Sequence, residues 1–179
     1  MNIFAIESDP ELAAESMVDS HVVKMILESA QLLSTAHRVL DGKEYIDSSS
    51  GRKIKRWKLP DDREQHLYSA THINHPSSVW ARTSDRNYYW LYKHFHALCK
   101  EYTYRYGKIH KCQEMYSWLC TPPKNIPIGY MTAITPAMPD EYKVPGNSVE
   151  SYRNYYREGK KHLHKWTKRE APEWIGLTG

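Results

Sequence analysis

Proline placement constrains this chain more than any other feature. Pro122, Pro123, Pro127, Pro136, Pro139 and Pro145 all fall within residues 121–145. Each removes a backbone donor and fixes φ, so that stretch reads as loop and regular structure must lie on either side of it. On the N-terminal side, apolar residues recur at helical spacing. Met25, Ile26, Ala30, Leu33 and Leu40 form the stripe of a helix opened by Asp19 or Ser20 and stopped at Asp41-Gly42. Leu91, Phe95, Leu98 and Tyr102 mark the inner face of a longer one over 84–106, with Gly107 as its C-cap. Ser8-Asp9-Pro10 opens a short helix ending near Met17, because a capping side chain precedes a first-turn proline. Asn74-His75-Pro76 breaks the chain before the third helical region. Further helices are expected over 111–120 and 148–168, the last followed by an extended tail through Pro172 and Trp174. Residues 2–6 read as a short strand or an apolar arm, and 43–60 as a basic loop or hairpin turning at Ser48-Ser49-Ser50-Gly51. The expected fold is mainly α: a compact single-domain helical bundle over 1–179, with long proline-rich loops and little β.

Composition narrows the function classes. Three cysteines (Cys99, Cys112, Cys120) without a CxxC pair do not make a disulfide framework and fit a reducing cytoplasm. The N-terminal residues lack a signal peptide's basic start and apolar stretch, and no apolar run reaches the length of a membrane span, so no membrane partner is expected. There is no GxxxxGK[ST], GxGxxG or GxSxG motif, which argues against P-loop, dinucleotide and α/β-hydrolase chemistry. Among ten histidines, neither the pair His72 and His75 (with His66 nearby) nor His94 and His96 matches a metal motif. Neither a metal nor a cofactor is expected.

Fourteen tyrosines and six tryptophans against two phenylalanines favour surfaces that are half apolar and half wet, such as base-stacking platforms or the boundary of a small core. The net charge of +4 is mild, but its distribution is not. Residues 151–169 hold Arg153, Arg157, Lys160, Lys161, Lys165, Lys168 and Arg169 against Glu158 alone, with Tyr152, Tyr155, Tyr156 and Trp166 interleaved. Cations neutralise phosphates and aromatics stack on bases, so this is the composition of a nucleic-acid surface. His75, Trp80, Arg82 and Asn87 add groups suited to phosphates and base edges, or to buried structural roles. On the second helix, His21, Lys24, Glu28 and Gln31 stand at i, i+3, i+7 and i+10, along one face. Such a line can relay protons or stabilise positive charge on a sugar; it can equally be a solvated face with a Lys24–Glu28 pair.

Asp19-x-His21 with Glu28 seven residues on resembles the N-terminal region of the phage pyrimidine-dimer DNA glycosylases of the endonuclease V type. The likeness continues in Tyr104-Arg105-Tyr106-Gly107-Lys108 at the end of the long central helix. It extends to Tyr152-Arg153-Asn154-Tyr155-Tyr156-Arg157-Glu158-Gly159-Lys160 near the C-terminus. The Asp-Pro…His-Val-Val-Lys-Met pattern is also similar to phage-encoded proteins. The resemblance implies an all-helical fold, DNA as partner, and N-glycosidic bond cleavage at a damaged or modified base in the host cytoplasm, with or without strand cleavage at the abasic site. It implies Glu28 as the catalytic carboxylate. His21 would orient it or protonate the leaving group, and Gln31, His75, Trp80, Arg82, Asn87, Tyr152, Arg153, Tyr156, Arg157, Lys160 and Trp166 would contact nucleic acid. A free modified nucleotide is the alternative substrate, and non-catalytic nucleic-acid or host-protein binding the alternative function. That family attacks with the α-amine of a small second residue exposed by loss of the initiator Met. Here Asn2 is bulky and leaves Met1 in place, which argues against an imine of that kind and leaves Lys24 as the alternative amine. Leu27 and Gln31 replace basic residues flanking the family's Glu, and 43–60 has no evident counterpart there.

Overall fold

The computed structural model describes residues 1–176; the last three residues of the expected tail lie outside them. Helices α1 (Pro10–Glu15), α2 (Asp19–Asp41), α4 (Pro76–Thr83) and α5 (Asp85–Tyr106) build the core, with α5 packed against α1, α2 and α4. The hairpin β1 (Lys43–Asp47) and β2 (Ile54–Lys58), one-turn helices α3 (Arg63–His66) and α6 (Tyr116–Leu119), and α7 (Ser148–Asn154) complete the set. The mainly helical expectation is met, and the hairpin is the only sheet among the described residues.

Local chemistry explains the boundaries. The Asp9 carboxylate accepts from Glu11 N to start α1, and Ser84 Oγ accepts from Asn87 N to start α5. Gly107 closes α5 at φ 67°, a left-handed cap that costs glycine no Cβ clash. Gly42 is extended rather than left-handed, so its reason for being glycine differs. A Cβ there would stand 2.5 Å from Arg38 O and 3.0 Å from Trp57 Cβ, because β2 runs close against the end of α2.

The expected helix over 148–168 is shorter and broken. α7 passes into a single π-type turn at Tyr155–Gly159, where the Tyr155 ring lies over Gly159 and a Cβ would meet it at 2.5 Å. The chain then folds back: Trp166 Nε1 donates to Ser16 O, and Thr167 N and Oγ1 donate to Asp19. Residues 2–6 form no strand. They are an arm threaded through the core, with Ile3, Phe4, Ala5 and Ile6 all buried.

Two arginines fasten the periphery to α2. Arg38 donates to the carbonyls of Trp57, Glu64, Leu67 and Tyr68 and to the Glu64 carboxylate. Hairpin and α3 therefore share one fully satisfied guanidinium. Arg63 bridges Asp41 and Asp61 and donates to His37 Nδ1. That leaves His37 Nε2–H to donate to the Tyr88 hydroxyl, which donates to Leu119 O. No described helix is long and apolar enough to cross a membrane.

Candidate active site and nucleic-acid interface

Glu28 lies midway along α2, where the apolar stripe gives way to a half-buried edge. The N-terminal arm brings the Met1 α-nitrogen to 3.5 Å from Glu28 Oε1, and the Met1 side chain is almost fully covered. Glu28 Oε2 is buried and accepts no hydrogen bond from the described residues. A buried carboxylate oxygen is costly to keep without a donor, so this one has capacity for a further hydrogen bond.

The arm is held in a strained shape. Asn2 Oδ1 accepts from the amides of Ile3 and Phe4, and its Nδ2 donates to Ala137 O. Phe4 sits at φ 56°, a region that a bulky residue enters only when its surroundings force it, at a cost of order 1–3 kcal/mol. Those surroundings are aromatic: Phe4 stacks on His21 at 4.2 Å between centroids and packs among Tyr152, Tyr155 and Tyr156. The strain is thus concentrated in the residues that set where Met1 ends up.

His21 belongs to this support. Its Nδ1 lies 2.6 Å from the Tyr156 hydroxyl, which also accepts from Val18 N. Burial, helped by the charges of Lys160, Lys24 and His162, pushes its pKa down to about 3. The neutral ring forms a wall of the site, stacked on Phe4. His75 lies within electrostatic reach of the amine. It caps α4 by accepting from Ser77 N, and burial, the Met1 ammonium and His72 lower its pKa. Amine, carboxylate and a neutral imidazole therefore share one neighbourhood. Lys24 is exposed and forms no ion pair with Glu28.

The model of the pyrimidine dimer DNA glycosylase family matches residues 1–114. The chain belongs to that family. No curated protein and no solved structure matches it. Membership makes DNA the partner of this glycosylase-family chain and focuses attention on which expected contact residues remain free.

Arg82 is half-buried, and burial lowers its pKa; its only hydrogen bond among the described residues is to Ser78 Oγ at 3.1 Å. A guanidinium kept partly dry without a carboxylate is poised for an external anion. Lys160 is half-exposed, with Nζ 5.1 Å from the Tyr155 ring and 5.9 Å from Phe4, close to the arm. Gln31 is half-buried three residues beyond Glu28. The other expected contacts are engaged inside the protein. Tyr152 and Tyr156 are fully buried, and Trp80 is buried with Nε1 donating to Thr132 O. Asn87 Nδ2 donates to Trp80 O and Thr132 Oγ1 while Oδ1 accepts from Thr132 N, so its amide edge is occupied. Arg153 pairs with Glu7, Arg157 with Glu150, and Trp166 bonds to Ser16.

A second basic surface emerges that the residue pattern only hinted at. Lys53, Lys55 and Arg56 of the hairpin line a groove of about 470 Å³ with Thr71, His72 and Ile73. That loop leads directly to His75. The missed feature at the centre is the Met1 α-nitrogen, a backbone atom that side-chain patterns do not register. Among the described residues, no cluster of three or more His, Cys, Asp or Glu side chains is spaced to hold a metal ion.

Proposed function

We propose that this chain cleaves the N-glycosidic bond of a damaged pyrimidine in DNA, using the Met1 α-amine as nucleophile and Glu28 as the assisting carboxylate. The observation that carries the reading is the 3.5 Å approach of Met1 N to Glu28 Oε1, with Oε2 left without a donor. As a class, α-amines lose their proton more than two pH units below lysine ammonium groups, so an α-amine is the better nucleophile near neutrality. In the proposed step the neutral amine attacks C1′ and forms the N–C1′ bond. The C1′–N1 bond breaks, and the base leaves with its electron pair and takes up a proton. Glu28 stabilises the positive charge building on the sugar, the role an anion fixed beside the reacting carbon performs best. Loss of the amine proton, with ring opening, gives the imine; Glu28, or neutral His75, accepts that proton. Removal of a C2′ proton from the imine would then expel the 3′ phosphate, which is strand cleavage at the abasic site.

Arg82 and Lys160, with the hairpin groove as an outer track, are the phosphate contacts in this reading. Asn2 fits it because a bulky second residue leaves Met1 in place, and the Met1 nitrogen itself is the one beside Glu28. The reading therefore keeps the family's α-amine chemistry but moves it to residue 1.

Borohydride reduction on abasic-site duplex, with peptide mapping of the adduct and the intact mass of the chain, tests this. The expected adduct is on residue 1. Glu28→Gln is expected to lower base release by about 100-fold or more while binding of the duplex persists. An adduct on Lys24 would reassign the nucleophile. Base release without any adduct would leave Glu28 acting on water instead.

A further inference from the structure

The loop over 127–131 exposes apolar side chains further than any other described part of the molecule. Ile128 is 92% exposed and Tyr130 83%. Exposed residues of this kind usually sit on loosely tethered loops, but this one is pinned from beneath at nearly every residue. Asp85 N donates to Pro127 O, Gly129 N donates to the Asp85 carboxylate, and Ser84 Oγ donates to Tyr130 O. Buried Trp80 and Asn87 then hold Thr132 on both backbone and side chain. The fixation explains why Asn87, with every polar atom occupied, carries no free base-reading edge.

Charge says what the ridge fits. The Arg86 guanidinium lies 5.2 Å over the Tyr130 ring and has no carboxylate partner among the described residues. Arg82, across the α4–α5 junction, lacks one too. An apolar ridge flanked by unpaired guanidinium groups matches a polyanion with an apolar interior, which is duplex nucleic acid. Helix α4 sets the distance from the chemistry. Its N-cap His75 feels the Met1 ammonium, and Ser84 beyond its other end holds the loop. Eight helical residues span about 12 Å, which is three to four base-pair steps.

We propose that the loop over 127–131 is a wedge: Ile128 and Tyr130 enter the base stack a few steps from the reacting nucleotide, while Arg86 and Arg82 hold the flanking phosphates. The inference rests on the DNA-acting reading above and deepens it. It supplies the unstacking that exposes a buried nucleotide to Glu28.

The test uses the full chain and 30-base-pair duplexes with 2-aminopurine at successive positions. Wild type is expected to raise fluorescence severalfold at a position near the lesion. Ile128→Ser/Tyr130→Ser is expected to abolish the rise and weaken binding about tenfold or more. The salt slope of binding should stay the same because every phosphate-binding cation remains, and Tyr130→Phe should behave as wild type. Both side chains are exposed, so unchanged melting confirms that the double variant is folded. Undiminished unstacking by the folded double variant overturns the wedge and leaves the glycosylase reading standing. Absence of duplex binding by wild type overturns both. A wild-type dimer that the double variant turns into a monomer on sedimentation overturns the wedge in favour of a contact between copies.

Discussion

Residues 151–169 carry seven cations against one acid, and residues 43–58 carry six against two, yet folding treats them in opposite ways. In the C-terminal segment Arg153 and Arg169 each meet a glutamate brought from elsewhere, Glu7 and Glu101, and Arg157 meets Glu150 at the segment's own edge. Lys161, Lys165 and Lys168 are exposed, Lys168 while donating to Tyr104 O, and Lys160 is half-exposed. In the hairpin, Lys43, Arg52, Lys53 and Lys58 are exposed and make no ion pair among the described residues, and Lys55 has only the exposed Glu44. Three of the seven cations in the stronger run are thus neutralised by glutamates, whereas in the weaker one only Lys55 meets a carboxylate and Arg56 donates to Ala70 O. A local charge count sees only acids nearby in the chain, whereas the fold delivers acids from any distance.

The sharpest way to break this contrast is to remove a cation from each side. Arg157 is buried, with its guanidinium bonded to Glu150, Asn154 and Trp174 O. Arg157→Met leaves the Trp174 carbonyl and Asn154 Oδ1 without their donor and is expected to cost about 1–3 kcal/mol, read as a melting temperature lower by roughly 2–12 °C. If the melt were unchanged and only DNA affinity fell, the C-terminal cations would be a docking surface after all. For the hairpin the opposite is expected. Arg52→Ala/Lys53→Ala/Lys55→Ala should leave the melt unchanged and reduce the salt slope of DNA binding by about 0.9 for each phosphate no longer neutralised. An unaltered slope would take the hairpin out of the interface.

Acid sharpens the comparison further, because each region rests on a buried neutral histidine. Burial pushes His21, beneath the C-terminal segment, down to about 3. It pushes His37, beside α3, down to about 4, with Arg63 adding to the effect. Unfolded, both titrate near 6.5, so between about pH 6.5 and 4 the unfolded chain binds more protons than the native one and stability falls as pH drops. Urea melts across that range should show the loss, and His21→Gln should make it shallower; a pH-independent midpoint would contradict buried neutral rings. The smallest effect is expected at the exposed Lys161 and Lys165. Lys161→Ala/Lys165→Ala should change stability by less than about 0.5 kcal/mol.

Much of the scaffold is legible in the chain. Asp9-Pro10, the α2 stripe, Gly107 and the turn at residues 48–51 each act through local chemistry, and each element forms where that chemistry puts it. The helix over 148–168 stops short of its expected length because its end depends on Tyr155 lying over Gly159 and on Asp19 capturing Thr167, interactions that no local pattern encodes. Glu28 stands out because a carboxylate at the border of an apolar stripe is conspicuous. The Met1 nitrogen does not, since its position follows from the Asn2 hydrogen bonds and the Phe4 turn. Residue type alone marks Trp80 and Asn87 as contact residues, whereas their polar atoms secure the 127–132 loop.

The N-terminal arm also ties the candidate chemistry to the order in which a ribosome delivers the chain. Asn2 is anchored on Ala137 O, Phe4 packs among Tyr152, Tyr155 and Tyr156, and Arg153 donates to Ile6 O. All of these anchors are translated after residue 114, where the family match ends. Residues 2–6 therefore have no complete seat until residues 137–156 follow. A nascent or truncated chain ending near 114 would hold Glu28 on its helix with no anchored arm beside it, so the placement of the arm waits for residues 137–156.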